Sequence, residues 1–168
     1  MKKLEVVLSA LLIVGTCPVV HGDKAKDEAE IRALEQRFAT AFKAKDINTI
    51  MAGYVPDETL FVFDVVPPRE YVGAKAYRKD WEDFFASFPG PVETFEINDL
   101  KVMSDGNLGF SHSIQRAVFT DKDGKKMDIT FRLTDVYRKV NGKWLIVHEH
   151  VSVPVDLATG KADLSSKP

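Results

Sequence analysis

After Pro91 the chain reads as four long strand-forming segments separated by three tight-turn signals, and this run constrains the fold more than any other feature. Val92 to Met103 is followed by Ser104-Asp105-Gly106-Asn107, and Leu108 to Phe119 by Asp121-Lys122-Asp123-Gly124. Met127 to Lys139 is followed by Asn141-Gly142, the strongest short hairpin signal, and Lys143 to Val153 closes the run. Four consecutive strands joined by short turns predict an antiparallel meander. A meander with one apolar face needs something to cover that face.

The cover comes from the first half. From Glu28 to Lys45 the residues Ile31, Leu34, Phe38, Ala41 and Phe42 recur at helical spacing. Asp46 is placed to cap a second, short helix running to about Tyr54, which Pro56 ends. Thr59 to Asp64 reads as a strand, and Val65 to Val72, with Pro67-Pro68, as a loop. Gly73 opens a helix with Tyr77, Trp81, Phe84, Phe85 and Phe88 on one bulky face, stopped by Pro89-Gly90-Pro91. Helices first and a meander second predict an α+β domain: a curved antiparallel sheet packed on N-terminal helices around a pocket.

The first 22 residues read differently. Lys2 and Lys3, the apolar run Val6 to Val20 and then Val20-His21-Gly22 have the three-part layout of a secretory signal. The run is short for a membrane span, which needs about 20 apolar residues. Lipidation of Cys17 is the competing reading, though Thr16 before it and Pro18 after it suit a lipoprotein signal poorly. The expectation is a periplasmic or secreted protein with residues 1–22 removed, a domain over 23–155 and a polar tail over 156–168. Cleavage would discard Cys17, the single cysteine of the chain, and thiol chemistry with it. The formal charge of −2 gives no electrostatic footprint for nucleic acid.

Period-two alternation sorts the strand residues into faces. In the last two strands the odd-numbered sets are the more apolar. One set holds Leu145, Val147, Glu149, Val151 and Val153, the other Met127, Ile129, Phe131, Leu133, Asp135 and Tyr137. A two-residue turn at Asn141-Gly142 would set odd opposite even, so a three-residue loop with Gly142 in a bulge is expected, pairing odd with odd. In the strand before, Leu108, Phe110, Ile114 and Val118 are the apolar set, which brings His112 and Arg116 to the same inner face. Trp144, His148, His150 and Arg132 then fall on the outer face, where a large aromatic among polar groups suits a homodimer interface.

The stretch Arg132-Leu133-Thr134-Asp135-Val136-Tyr137, followed by Gly142-Lys143-Trp144 to His148-Glu149-His150-Val151-Ser152, resembles the SnoaL-like branch of the nuclear-transport-factor-2-like superfamily. Phe61-Val62-Phe63-Asp64 with Pro67-Pro68 and Gly73 fits the same pattern. The resemblance implies a conical α+β barrel with a pocket between sheet and helices, and a dimer formed through the sheets. It also implies Val147 and Val151 at pocket positions. The superfamily includes ketosteroid isomerases, dehydratases, epoxide hydrolases and polyketide cyclases beside non-enzymatic modules, so fold alone says little about chemistry. The isomerases' Tyr and Asp set has no residue-by-residue counterpart here.

Candidate site residues follow from the inner face. His112 and Arg116 lie about 13 Å apart on one strand at 3.3 Å per residue, His112 as acid or base and Arg116 as anchor for a carboxylate or enolate. Asp135 and Glu149 are expected as diagonal neighbours, where an apolar setting would raise a carboxyl pKa towards neutrality. The competing reading is that Arg116 simply neutralises them. Tyr137 shares the face, Tyr54 and Trp81 are expected to line the cavity, and Asp64 to sit at its mouth or cap a turn. His148 and His150 lack a third partner for a metal, and Asp121 to Gly124 lacks calcium-loop spacing. No cofactor motif is present. The expectation is a domain that binds a small apolar molecule with a carbonyl or carboxylate. A cofactor-independent isomerase, dehydratase or hydrolase, and an interaction protein using the outer Trp144 face, are the alternatives.

Overall fold

A computed structural model of the chain describes residues 23–166. The leader read at residues 1–22, Cys17 included, lies outside the described residues.

Helix α1 (Lys24–Ala44) starts at Asp23, whose side chain accepts from the Lys26 backbone N–H, and ends with Lys45 in a left-handed conformation. Helix α2 (Ile47–Met51) is capped by Asp46, as its position predicts, with the Thr49 N–H 3.1 Å from Oδ1. Strands β1 (Phe61–Phe63) and β2 (Tyr71–Val72) flank a loop containing a cis Pro67-Pro68 bond, and helix α3 (Ala74–Ser87) follows. The long strands are β3 (Val92–Asp105), β4 (Leu108–Thr120), β5 (Lys126–Val140) and β6 (Lys143–Ser152). Within the polar C-terminal segment, β7 (Val155–Asp156) and β8 (Lys161–Ala162) make a small hairpin, after which the Leu164 carbonyl accepts from the Thr130 N–H at 2.8 Å.

The six-stranded sheet runs in the order β2-β1-β6-β5-β4-β3. The four long strands form the expected antiparallel meander, but β1 adds to β6 in parallel, with Val62 beside Glu149. The helices cover the concave face through a ring cluster. Phe42 lies 4.4 Å from Phe95, Phe38 meets Trp81 edge-on at 5.8 Å, and Phe88 meets Phe119 at 4.6 Å.

Two registers differ from those expected. The last hairpin has a two-residue turn, with Val140 paired to Lys143 and both Asn141 and Gly142 at positive φ. That is the geometry Asn-Gly favours. The extra residue comes later. The ladder slips between Val136 and Tyr137, leaving Val147 as the unpaired residue of a bulge in β6. Before the bulge the even residues Trp144 and Ile146 face inward, and after it the odd residues Glu149 and Val151 do. Trp144 is therefore core and not an outer dimer contact. It is 5% exposed, its Nε1–H reaches Asp27 Oδ1 at 3.3 Å, and the Lys139 ammonium sits 5.4 Å from its ring centre.

The second difference concerns β4. Its residues pair odd with odd along all of β5, Ser111 with Asp135 and Gly109 with Tyr137. The inner face is therefore Gly109, Ser111, Ser113, Gln115, Ala117 and Phe119, and His112 and Arg116 point to the convex side. The apolarity rule fails here for a physical reason. α1 crosses so close that a Cβ on Gly109 would lie 2.8 Å from Ile31 Cδ1, so this part of the concave floor must be small. The bulkier Leu108 and Phe110 lie outside, 57% and 37% exposed.

Trp144→Ala should therefore act as a core truncation and cost about 3–5 kcal/mol. Urea denaturation checks this; full stability with an altered oligomeric state would instead restore Trp144 to the surface.

Candidate functional site

Beyond the bulge, β5 and β6 set Asp135 and Glu149 directly opposite each other, closer than the expected diagonal. Both are buried, at 1% and 3% exposure. Two tyrosines hold Glu149. Tyr54, fixed where the segment after α2 bridges to Ile146, donates to Oε2 at 2.6 Å, and Tyr77 of α3 donates to Oε1. Asp135 belongs to a second group. Tyr137 donates to Glu35 Oε1 at 2.6 Å, Ser111 Oγ lies 2.8 Å from the Tyr137 hydroxyl, and Asp135 Oδ2 lies 3.3 Å from it. Asp135 Oδ1 has no hydrogen-bond partner among the described residues.

Three carboxyls thus lie buried in one region, and the cation expected to neutralise them lies elsewhere. Arg116 makes a two-pronged contact with Asp128 on the convex face, at 2.9 and 2.8 Å, with Glu96 at 3.8 Å. Burial without a cation favours the protonated forms. It pushes Glu149 up to about 7, against the opposing pull of the Tyr54 and Tyr77 hydrogen bonds. It raises Asp135 well above the usual carboxylate range, helped by the charges of Glu35 and Glu149, and raises Glu35 as well. Burial and the neighbouring carboxylates also raise Tyr54, Tyr77 and Tyr137 far enough to keep their hydroxyls protonated.

Glu149 opens onto a cavity of about 320 Å³ between sheet and helices. That volume lies at the small end of ligand pockets. Its walls are rings, among them Phe38, Trp81, Phe84, Phe88 and Phe131. Asp64, directly after β1, and Asp80 of α3 also line it. Burial and the Asp80 charge push Asp64 up to about 6, opposed by the Val65 and Val66 N–H groups that its carboxylate accepts. Gln115 adds an Oε1 and Trp81 an Nε1–H, both buried and both without a partner.

Of the residues expected from the sequence, the structure brings Glu149, Trp81, Val151 and Asp64 to this cavity, with Tyr54 behind Glu149 and Asp135 beside it. Tyr137 is buried in the adjoining Glu35 group, outside the lining. Val147 sits in the bulge and does not line the cavity. His112 and Arg116 are on the far side of the sheet. So are His148, whose Nδ1 lies 2.8 Å from the Phe61 carbonyl, and the exposed His150 and Arg132. Among the described residues no three His, Cys, Asp or Glu side chains are placed to hold a metal ion. Sequence reasoning passed over Glu35 and Gln115. Glu35 had a signal, since it lies four residues after Ile31 within the apolar stripe of α1. Gln115 had none once β4 was turned the wrong way.

A family model described as a SnoaL-like domain matches residues 31–156. The chain belongs to the SnoaL-like family. A solved nuclear-transport-factor-2-like protein of unknown function from Pseudomonas putida is 33% identical, with 88% of this chain and 100% of that one covered at a TM-score of 0.78. A ketosteroid isomerase-like protein from Erwinia carotovora atroseptica is 22% identical over 76% of this chain and 95% of that one, at 0.65. A nuclear-transport-factor-2-like superfamily protein from Salmonella enterica is 17% identical over 82% and 97%, at 0.71. The last two share the fold. A search of curated proteins finds no match. No helix among the described residues is long and apolar enough to cross a membrane.

The SnoaL-like site predicts a pH dependence of stability. Between pH 4.5, the ordinary value, and about 7, the unfolded chain has released the Glu149 proton while the folded chain keeps it. Stability must then fall as pH rises through this window. Urea midpoints should drop between pH 5 and pH 7.5, and Glu149→Gln should remove part of that drop. An equal drop in wild type and variant would show that Glu149 is not a contributor.

Proposed function

We propose that this SnoaL-like domain binds a small, largely apolar carbonyl compound in the aromatic cavity and moves a proton on it through Glu149. The observation that carries the reading is the setting of Glu149: buried, open to the cavity, held by two phenols and facing no cation. A closed ion network with Arg116 would have favoured binding without turnover, and Arg116 is committed to Asp128 on the other face. A carboxyl with a pKa near 7 is half ionised at neutral pH, as a general base requires.

In the proposed step the Glu149 carboxylate takes a proton from a carbon next to the carbonyl. The C–H electron pair becomes the enolate double bond, and the open Trp81 Nε1–H is the available donor to its oxygen. In a β,γ-unsaturated carbonyl compound, return of the proton from Glu149 to the γ-carbon shifts the double bond into conjugation and completes an isomerisation. Neighbouring chemistries such as dehydration begin with the same abstraction. Deuterium exchange tests this. Small ketones incubated with the protein in D2O should gain deuterium at the α-carbon, read by mass spectrometry, and Glu149→Gln should lower the rate at least 100-fold. Exchange that persists in the variant refutes the base; native mass spectrometry that catches a ligand without any exchange favours binding alone.

The same reading takes the chain as an exported homodimer. Export rests on the layout of residues 1–22. The dimer rests on a convex sheet face where Phe63, Met103, Leu108 and Phe110 are exposed, near His148 and His150 and away from the buried Trp144. A patch of that kind needs covering in water. Phe110→Lys should shift the protein to monomer in sedimentation velocity, with the fold retained by circular dichroism; a wild-type monomer would remove the dimer.

A further inference from the structure

The polar inventory of the cavity is one-sided. Its lining includes Asp64, Asp80, Asp83 and Glu149 and no Lys, Arg or His. Asp83 is matched by Lys79, its neighbour one helical turn away. Asp64 accepts only from the Val65 and Val66 N–H groups and Asp80 only from the Tyr71 hydroxyl, so neither has a counter-charge among the described residues. Lys45, whose ammonium lies 5.8 Å from the Phe85 ring centre, spends it on the Phe88 and Gly90 carbonyls. A second, independent observation points the same way. Gln115, 1% exposed on the cavity floor, has its Oε1 acceptor unpartnered. Trp81 Nε1–H is a buried donor left open there.

An anionic ligand would meet only like charge here. A neutral one would leave two half-buried carboxyls without a counter-charge. A cation meets both needs at the mouth: charge for Asp64 and Asp80, and ring faces at Phe84, Phe88 and Trp81 for an onium head or an aromatic body, while the bare Gln115 acceptor on the floor adds a further reason to exclude an anion.

We propose that the cavity selects an organic cation, an apolar amine whose ammonium sits between Asp64 and Asp80 while its body lies among the rings. This rests on the reading of the cavity as a ligand site and adds the substrate class: an amino ketone, with the carbonyl at Trp81 and Glu149 and the nitrogen at the mouth. The acidic mouth then acts as the specificity element and takes no part in the proton transfer.

Three probes of matched shape test it: 4-phenylbutylamine, 4-phenylbutanol and 4-phenylbutyrate, titrated calorimetrically at pH 7.5. The amine should bind at least tenfold tighter than the alcohol, with the butyrate undetectable, and its advantage should shrink as salt rises. Asp64→Asn and Asp80→Asn should each erase most of the amine's advantage while leaving alcohol affinity unchanged, which also reports an intact cavity. Should either variant fail to fold, the salt dependence of wild type decides. An alcohol that binds as tightly as the amine overturns the cation and leaves the ligand site standing. Failure of all three probes to bind removes the ligand site and the cation together.

Discussion

The architecture depends on one extra residue. Side chains alternate strictly along a strand, so a hairpin of uniform register commits each strand to one inward parity over its whole length. Val147 breaks that commitment in β6. Near the turn the strand sends Trp144 and Ile146 into the core beside α1. Past the bulge it sends Glu149 and Val151 inward and opens onto the cavity. Without the bulge, a strand that buries Trp144 would turn Glu149 to the convex face. Tyr54 and Tyr77 would then have no carboxylate, and the floor no acid.

The price is visible in the same region. Burying Glu35, Asp135 and Glu149 without a cation opposes folding unless protons stay behind, and three tyrosines and Ser111 supply the hydrogen bonds that make this tolerable. Asp135 Oδ1 goes without. Natural folds accept such local conflict where the site has work to do, and the rest of the core offsets it. Here the offset is the ring cluster of α1 and α3, which also forms the cavity wall, so the groups that stabilise the fold and those that would hold the proposed ligand overlap.

Much of the fold was legible because its signals are local. The stripe Ile31 to Phe42, the Asp46 cap, the Pro89-Gly90-Pro91 stop and the Asn141-Gly142 turn each report their own element. The site was less legible because it depends on register, which no local signal carries. Asn141-Gly142 correctly asked for a two-residue turn, and the demand for odd-with-odd pairing was also right for Asp135 and Glu149. Only a bulge placed away from the turn satisfies both. In β4 the apolar set Leu108, Phe110, Ile114 and Val118 lies on the convex side, where Leu108 and Phe110 join an exposed apolar patch, while at Gly109 a larger residue would meet Ile31 of α1. His112 and Arg116 went with it. Glu149, Asp64 and Trp81 are cavity residues, and Arg116, the expected counter-ion of Asp135 and Glu149, is bound to Asp128 on the other face.

The parallel seating of β1 against β6 has one further consequence. Val62 is the ladder partner of Glu149, the ladder ends at Phe63 opposite His150, and Asp64 follows directly and lines the cavity. The ladder that ends one residue before Asp64 therefore anchors the reach between mouth and floor, and a change of register there would move it in steps of roughly 3.3 Å. The intervening loop from Val65 to Glu70 is free of that ruler. Relatives that alter it would reshape the entrance, and so admit different molecules, while the reach from entrance to acid stayed constant.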